Sequence, residues 1–258
     1  MKKNIILLIL FCTLVMHTQG QTKTTVIAHR GAWTAPHIPE NSIASLKKAI
    51  EIGCGGSEFD VWLTKDNIAV VHHDPTIDGL SIENSDWKEL KKKKLSNGER
   101  MPTLKEYIST GMKQRGTRLV LEFKSSKLNK ERTLQLAQHC VDLVKKMKAE
   151  TYVDYIGFDY EGCKLIKKLD PKAKITYVNW KHDKEPAQLK TDGFYAVDYN
   201  YKVYLENPAL IKSFRDLGIK LNVWTVNTAD DMKWFVDKDF DYITTDHPHL
   251  LFETLKEN

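Results

Sequence analysis

Cysteine is scarce. The 258-residue chain has four, and Cys12 lies in an N-terminal segment unlike the rest. Cys54, Cys140 and Cys163 remain. Three cannot all pair within one chain, and their spacing is not that of a zinc site. They read as small apolar residues. An excess of one charge is also lacking: 39 Lys and Arg face 34 Asp and Glu, a net charge of +5. The basic residues are scattered and imply no nucleic-acid partner. Their one run, Lys91 to Lys94, follows Trp87 and Leu90 in a helix-like stretch and reads as a solvated face. Attraction to anionic lipid is the alternative reading of that run. No G-x-G-x-x-G follows the first strand-like segment, so a dinucleotide site is not indicated. There is no repeat at a solenoid period and no low-complexity linker.

Long apolar runs are nearly absent too. The exception, Ile5 to Met16, follows Lys2 and Lys3 and precedes small Gly20. That is the order of a signal peptide, here residues 1–20. The run is short for a membrane span, which needs roughly 20 apolar residues. An uncleaved anchor is the competing reading. A lipoprotein reading of Cys12 is disfavoured by bulky Leu10 and Phe11 just before it. The expectation is an exported protein, periplasmic or secreted, with no stable membrane insertion after cleavage. Cleavage leaves about 238 residues and a net charge of +3. An α/β barrel of that size is commonly one domain.

What is present is alternation. Strand-like runs at Thr25–Ala28, Phe59–Leu63, Arg118–Phe123, Val153–Phe158, Lys174–Val178, Tyr195–Tyr199, Leu221–Val226 and Asp241–Thr244 are mostly separated by helical patterns. Among these are Glu40–Ile52, Asn129–Lys148, Pro208–Leu217 and Ala229–Val236. Glu40-Asn41 after Pro39 suits a helix start. In 129–148 the apolar face is Leu134, Ala137, Val141, Leu143, Val144 and Met147. Ile68–Val71 is a further β-rich run, separated from Leu63 by turn-like Lys65-Asp66-Asn67. About eight βα units at this length predict an α/β fold, a (β/α)8 TIM barrel over residues 21–258. Residues 75–101 are polar and irregular and read as a small insertion after the second strand.

In such barrels the active site lies at the C-terminal strand ends. There the sequence places His29-Arg30-Gly31, Glu58-Phe59-Asp60, His72-His73-Asp74 and Glu122-Phe123-Lys124. Residues two apart on a strand share a face, so Glu58 projects with Asp60, Glu122 with Lys124, and Asn222 with Trp224. Three carboxylates in one cavity repel one another and resist desolvation. A hard divalent cation, Mg²⁺ or Ca²⁺, resolves that conflict. Arg30 and Lys124 suit an anionic substrate such as a phosphate. Histidines give and take protons near neutral pH. Of the adjacent His72 and His73, only one easily enters the site. Lys124 could instead be an ion-pair partner for Glu122, and Trp224 could be core.

The segments His29-Arg30-Gly31, Pro39-Glu40-Asn41-Ser42, Glu58-Phe59-Asp60-Val61, Leu63-Thr64-Lys65-Asp66 and His73-Asp74-Pro75-Thr76 resemble the glycerophosphodiester phosphodiesterase family. So do Pro102-Thr103-Leu104, Leu121-Glu122-Phe123-Lys124, Val223-Trp224-Thr225-Val226-Asn227 and Ile243-Thr244-Thr245-Asp246-His247-Pro248. The match runs in order along nearly the whole mature chain. It implies a TIM barrel with metal ligands Glu58, Asp60 and Glu122. It implies that His29 and His73 are the acid–base pair, that Arg30 and Lys124 hold the phosphate, and that Trp224 lines the alcohol side. The implied reaction converts a glycerophosphodiester, a small-molecule substrate, to glycerol 3-phosphate and an alcohol through a cyclic phosphate. Asp78-Gly79-Leu80 stands where the family often has an arginine, beside the pocket, which leaves the alcohol group open.

Three other readings compete. A phospholipase-type phosphodiesterase would act on intact lipids. A catalytically silent barrel would bind phosphorylated ligands but should lack a histidine or a metal ligand, and all five are present. A sugar-active enzyme with two catalytic carboxylates leaves His29, His73 and Arg30 idle.

Overall fold

The computed structural model describes residues 24–257. The expected signal segment, residues 1–20, lies outside the described residues. The strands are β1 (Thr25–Ala28), β2 (Gly56–Leu63), β3 (Ala69–Val71), β4 (Thr76–Ile77), β5 (Leu80–Ser81), β6 (Arg118–Phe123), β7 (Val153–Gly157), β8 (Ile175–Asn179), β9 (Ala196–Asn200), β10 (Lys220–Trp224) and β11 (Tyr242–Thr245). The helices are α1 (Ile43–Glu51), α2 (Trp87–Leu90), α3 (Leu104–Gly111), α4 (Lys130–Lys146), α5 (Tyr160–Leu169), α6 (Pro186–Thr191), α7 (Tyr201–Glu206), α8 (Ala209–Asp216), α9 (Ala229–Asp237) and α10 (Pro248–Glu257).

Eight strands run parallel in the order β10-β9-β8-β7-β6-β2-β1-β11, and helices link them in the manner of a (β/α)8 barrel. The ring is nearly closed. At the β10–β11 seam the joining bonds include Leu221 N–H to Asp241 Oδ2 (2.9 Å), Asn222 Nδ2 to Thr244 Oγ1 (3.1 Å) and Val226 N–H to the Thr244 carbonyl (3.1 Å). Strands covered on both faces lose the polar–apolar alternation of a half-exposed sheet. All eight residues of β2 are accordingly buried, Glu58 and Asp60 among them. Phe59 turns outward and stacks on Tyr107 of α3, ring centroids 4.2 Å apart. Cys54, Cys140 and Cys163 are free thiols buried in the core between strands and helices. Burial pushes the Cys54 thiol up to about 12.

Three local features depart from the sequence reading. Helix α1 begins later than Glu40-Asn41. Ser42 is its N-cap, and a capping box with Ser45 satisfies both ends of the first turn. Asn41, at a left-handed φ of 54°, is thereby turned back toward β2. On α4 the deepest stripe includes Leu136 and Cys140, while Leu143 and Met147 pack only partly against the core. Residues 75–101 are not irregular throughout: they form the β4–β5 hairpin and the single-turn α2. Ile77, Ile82, Leu90 and Met101 make a small apolar cluster with Trp62 and Val70. The lysine run follows α2 rather than lying on it. Lys91, Lys92 and Lys94 are exposed, and Lys93 lies 3.5 Å from Asp78.

Candidate active site

A cleft of about 690 Å³ opens at the C-terminal strand ends, lined among others by His29, Arg30, Glu58, Asp60, His73, Glu122, Lys124 and Trp224. All eight residues singled out from the sequence therefore meet in one place. At the opposite barrel mouth a smaller cavity, about 210 Å³, is lined by polar groups that satisfy one another, such as Arg118 with Asp154 and Tyr195 with Tyr242.

The β1–α1 turn sets the first edge. Arg30 adopts φ 56° and Gly31 φ 79°. A Cβ on Gly31 would come 2.5 Å from Ser45 Oγ and 2.8 Å from Ser45 backbone, so only glycine fits this crossing. The turn aims the Arg30 N–H at Glu58 Oε2, 2.7 Å away. Its guanidinium bonds Glu40 at 2.8 Å and lies 3.9 Å from Asp60, with Nε buried and unpartnered.

Glu58 and Asp60 of β2 and Glu122 of β6 each offer an oxygen within 4.8 Å of the others. All three are buried. Burial drives the Glu58 carboxyl well above its ordinary range, and the charges of Asp60 and Glu122 push it the same way. Burial also raises Glu122, against the pull of Lys124. Asp60 goes the other way. Burial opposes its ionisation, but the Lys124 ammonium, His73 and the Asn41 amide outweigh that penalty. Lys124 Nζ donates to Asp60 Oδ1 at 2.9 Å and makes an ion pair with Glu122 Oε1 at 2.8 Å. Lys124 is the one cation that the structure places against Glu122 Oε1 among the described residues. Asn41 clamps Asp60 from both sides: its Nδ2 donates to Oδ2 (2.8 Å) and its Oδ1 accepts from the Asp60 N–H (3.0 Å). Three convergent buried carboxylates, an all-oxygen donor set, fit a hard cation that takes oxygen ligands.

Both cleft histidines are held by carboxylates. His29 Nδ1 donates to Asp246 Oδ1 at 2.7 Å, and Asn227 donates to the other oxygen of Asp246 at 2.7 Å. His73 Nδ1 donates to Asp74 at 2.8 Å, and its carbonyl accepts from the Trp62 indole at 3.0 Å. Nε2 is then the ring nitrogen left for the cleft. Burial, joined by the charges of Lys124 and Arg30, holds His73 below an ordinary imidazole despite Asp60. His72 is occupied elsewhere, with Nε2 3.1 Å from the Thr76 carbonyl. Trp224 joins Phe158 and Trp180 in an aromatic wall, centroids 5.5 and 4.4 Å from its own. Its indole donates to the Asp198 carbonyl at 3.0 Å.

The glycerophosphoryl diester phosphodiesterase family model matches residues 29–250. The chain belongs to that family. A glycerophosphodiester phosphodiesterase from Parabacteroides distasonis, known from its crystal structure, is 42% identical. It aligns with a TM-score of 0.88, covering 92% of this chain and 99% of that one. The glycerophosphodiester phosphodiesterase of Caldanaerobacter subterraneus is 29% identical over 250 residues, 91% of this chain and 99% of its own length. An Oleispira antarctica phosphodiesterase, solved with its product sn-glycerol-3-phosphate, shares the fold. It has a TM-score of 0.79 at 22% identity, over 90% of this chain and 96% of that one. As a glycerophosphodiester phosphodiesterase family member this chain is an enzyme, a phosphoric diester hydrolase.

Several site residues were not singled out for a role from the sequence. Glu40, Asn41, Asp74, Asn227 and Asp246 lie within the family-like segments, which gave the only signal for them. Asp198, Phe158 and Trp180 lie in no such segment; Phe158 and Asp198 stand at or beside the ends of expected strands, the one signal that could have found them, and nothing marks Trp180.

Proposed function

We propose that the mature chain is a divalent-metal-dependent glycerophosphodiester phosphodiesterase, exported by its first 20 residues, that releases glycerol 3-phosphate and a free alcohol. The observation that carries this reading is the convergence of Glu58, Asp60 and Glu122 beside two carboxylate-anchored histidines in one cleft. In this reading Glu58, Asp60 and Glu122 hold one Mg²⁺ or Ca²⁺, which would supply positive charge to the phosphate and to a neighbouring glycerol hydroxyl. Arg30 and Lys124 add cationic donors for the phosphate oxygens. One histidine Nε2 takes the proton of that hydroxyl as its oxygen attacks phosphorus. The other gives a proton to the departing alcohol oxygen. A cyclic glycerol phosphate results. Water then opens the ring with the histidine roles exchanged, giving glycerol 3-phosphate. Each proton transfer contributes about 10²–10⁴-fold. The product named in the Oleispira antarctica complex supports this assignment by analogy of fold.

The test uses purified residues 21–258 with several glycerophosphodiesters, measuring glycerol 3-phosphate and alcohol in parallel. Chelation should stop both, and Mg²⁺ or Ca²⁺ should restore them in equal amounts. Turnover indifferent to chelation, or none with any glycerophosphodiester, would overturn the reading.

A second reading, hydrolysis of intact lipids, has one observation in its favour. Leu128 and Trp180, on the loops after β6 and β8, are 48% and 66% exposed at the cleft-bearing end. Among the described residues no helix is long and apolar enough to cross a membrane. Vesicles of intact phospholipid in the same assay separate the two readings.

A further inference from the structure

Asp198 lies on β9, is 2% exposed, and lines the floor of the cleft. One of its oxygens is satisfied: Asn222 Nδ2 donates to Oδ2 at 2.8 Å. The other, Oδ1, is buried with no hydrogen-bond partner. The polar groups already bonded to Asp198 have no donor left to give. Asn222 Nδ2 spends its second hydrogen on Thr244 Oγ1, and Asn222 Oδ1 accepts from both the Val223 N–H and the Thr244 hydroxyl. The Trp224 indole is committed to the Asp198 carbonyl. Nor does Asp198 belong to the group of carboxylates that converge within 4.8 Å. A buried polar oxygen left unpaired is costly, which points to a hydrogen-bond partner arriving with the substrate.

The shape of the cleft says which part of the substrate brings it. In a glycerophosphodiester one alcohol is variable and the glycerol is fixed. The variable half needs the open end, where Trp180 is largely exposed. The fixed half belongs on the closed floor, made by Ile156, Val178, Asp198 and Thr244. Glycerol esterified at one end keeps two hydroxyls. The one beside the ester carbon attacks phosphorus, and the terminal one takes no part in the chemistry.

We propose that Asp198 is the specificity residue for the glycerol half, its free carboxyl oxygen hydrogen-bonded to the non-reacting terminal hydroxyl. This rests on the activity proposed above. A cleft built this way rejects a diester whose glycerol is replaced by propane-1,2-diol, because that analogue can still cyclise but leaves Oδ1 unpaired.

The experiment compares kcat/KM for the glycerol and propane-1,2-diol diesters of one alcohol, in the wild type and in two variants, Asp198→Ala and Asp198→Thr. Threonine keeps one oxygen for Asn222 and sets a methyl group near the place of Oδ1, which guards against a variant that fails to fold. The wild type is expected to prefer the glycerol diester at least about tenfold. In either folded variant the ratio should fall toward one, through loss on the glycerol diester alone. Binding of glycerol 3-phosphate and its deoxy analogue, followed by calorimetry, should show the same collapse without turnover. A wild-type ratio near one, or a ratio unchanged in a folded variant, overturns the proposal. Failure of the wild type on every glycerol diester instead removes the activity on which it rests.

Discussion

His29 and His73 come from different strand ends yet are oriented alike, each with Nδ1 bound to a carboxylate. A carboxylate that fixes the tautomer also stabilises the protonated ring, so in the proposed mechanism Asp246 and Asp74 would act through the histidines. His29→Ala and His73→Ala should each lower kcat by about 10²–10⁴-fold with the melting temperature little changed. Steady-state kinetics beside thermal unfolding check this, and near-normal rates in both variants would remove the histidines from the mechanism. Asp246→Asn should lower kcat more than it alters KM. Glu58→Ala should nearly abolish turnover without unfolding the protein, since it removes a carboxylate that its neighbours repel. That Glu58, Asp60, Glu122, Lys124 and His29 face one cleft was legible from strand spacing and strand ends, whereas His73 was preferred to His72 only on the family resemblance. Their supports were not legible. Asp246 is 217 residues from His29, and Asp198 is 24 from Asn222, distances that only the closed ring removes.

At the scale of the element, the start of α1 does two jobs. Ser42 caps the helix, and the same turn points Asn41 at Asp60. Ser42→Ala should cost about 0.5–2 kcal/mol, visible as a lower melting temperature. Asn41→Ala should mainly reduce activity and weaken the response to divalent cation, since Asp60 loses both of its amide contacts. An equal loss of stability with full activity would make Asn41 merely structural. The eight strands and the longer helices α1, α4, α8 and α9 were legible from periodicity, with boundaries off by a residue or two at most strands; α5, α6, α7 and α10 were not picked out. Residues 75–101 were harder to read. Their apolar cluster depends on Trp62 and Val70, which come from β2 and β3 and cannot be seen inside the segment.

At the scale of the whole molecule, the acidic cluster links stability to pH and, through the proposed cation, to metal. Glu58 and Glu122 have raised pKa values, so the folded state holds protons that the unfolded chain has released. Their contribution is present below the ordinary value of 4.5 and is lost as pH rises through their folded values. Asp60, held low, contributes in the opposite sense, and its stabilisation is lost only in acid. The chelated protein should therefore gain more melting temperature from added Mg²⁺ or Ca²⁺ at pH 7.5 than at pH 5. A shift of equal size at both, measured by scanning calorimetry, would mean the cation binds elsewhere. Export is tested separately: the N-terminus of protein recovered outside the cytoplasm should begin near Gln21.

The seam between β10 and β11 gives the ring a preferred place to come apart. Where neighbouring strands are laced by regular ladders, this join leans on side chains, and three of those are Asp241, Asn222 and Thr244. In deuterium-labelling experiments the amides flanking it should exchange before those of β2 and β6. Glycerol 3-phosphate should slow them, because Thr244 lines the cleft as well as the seam, and Asn222 ties that seam to Asp198 of the cleft.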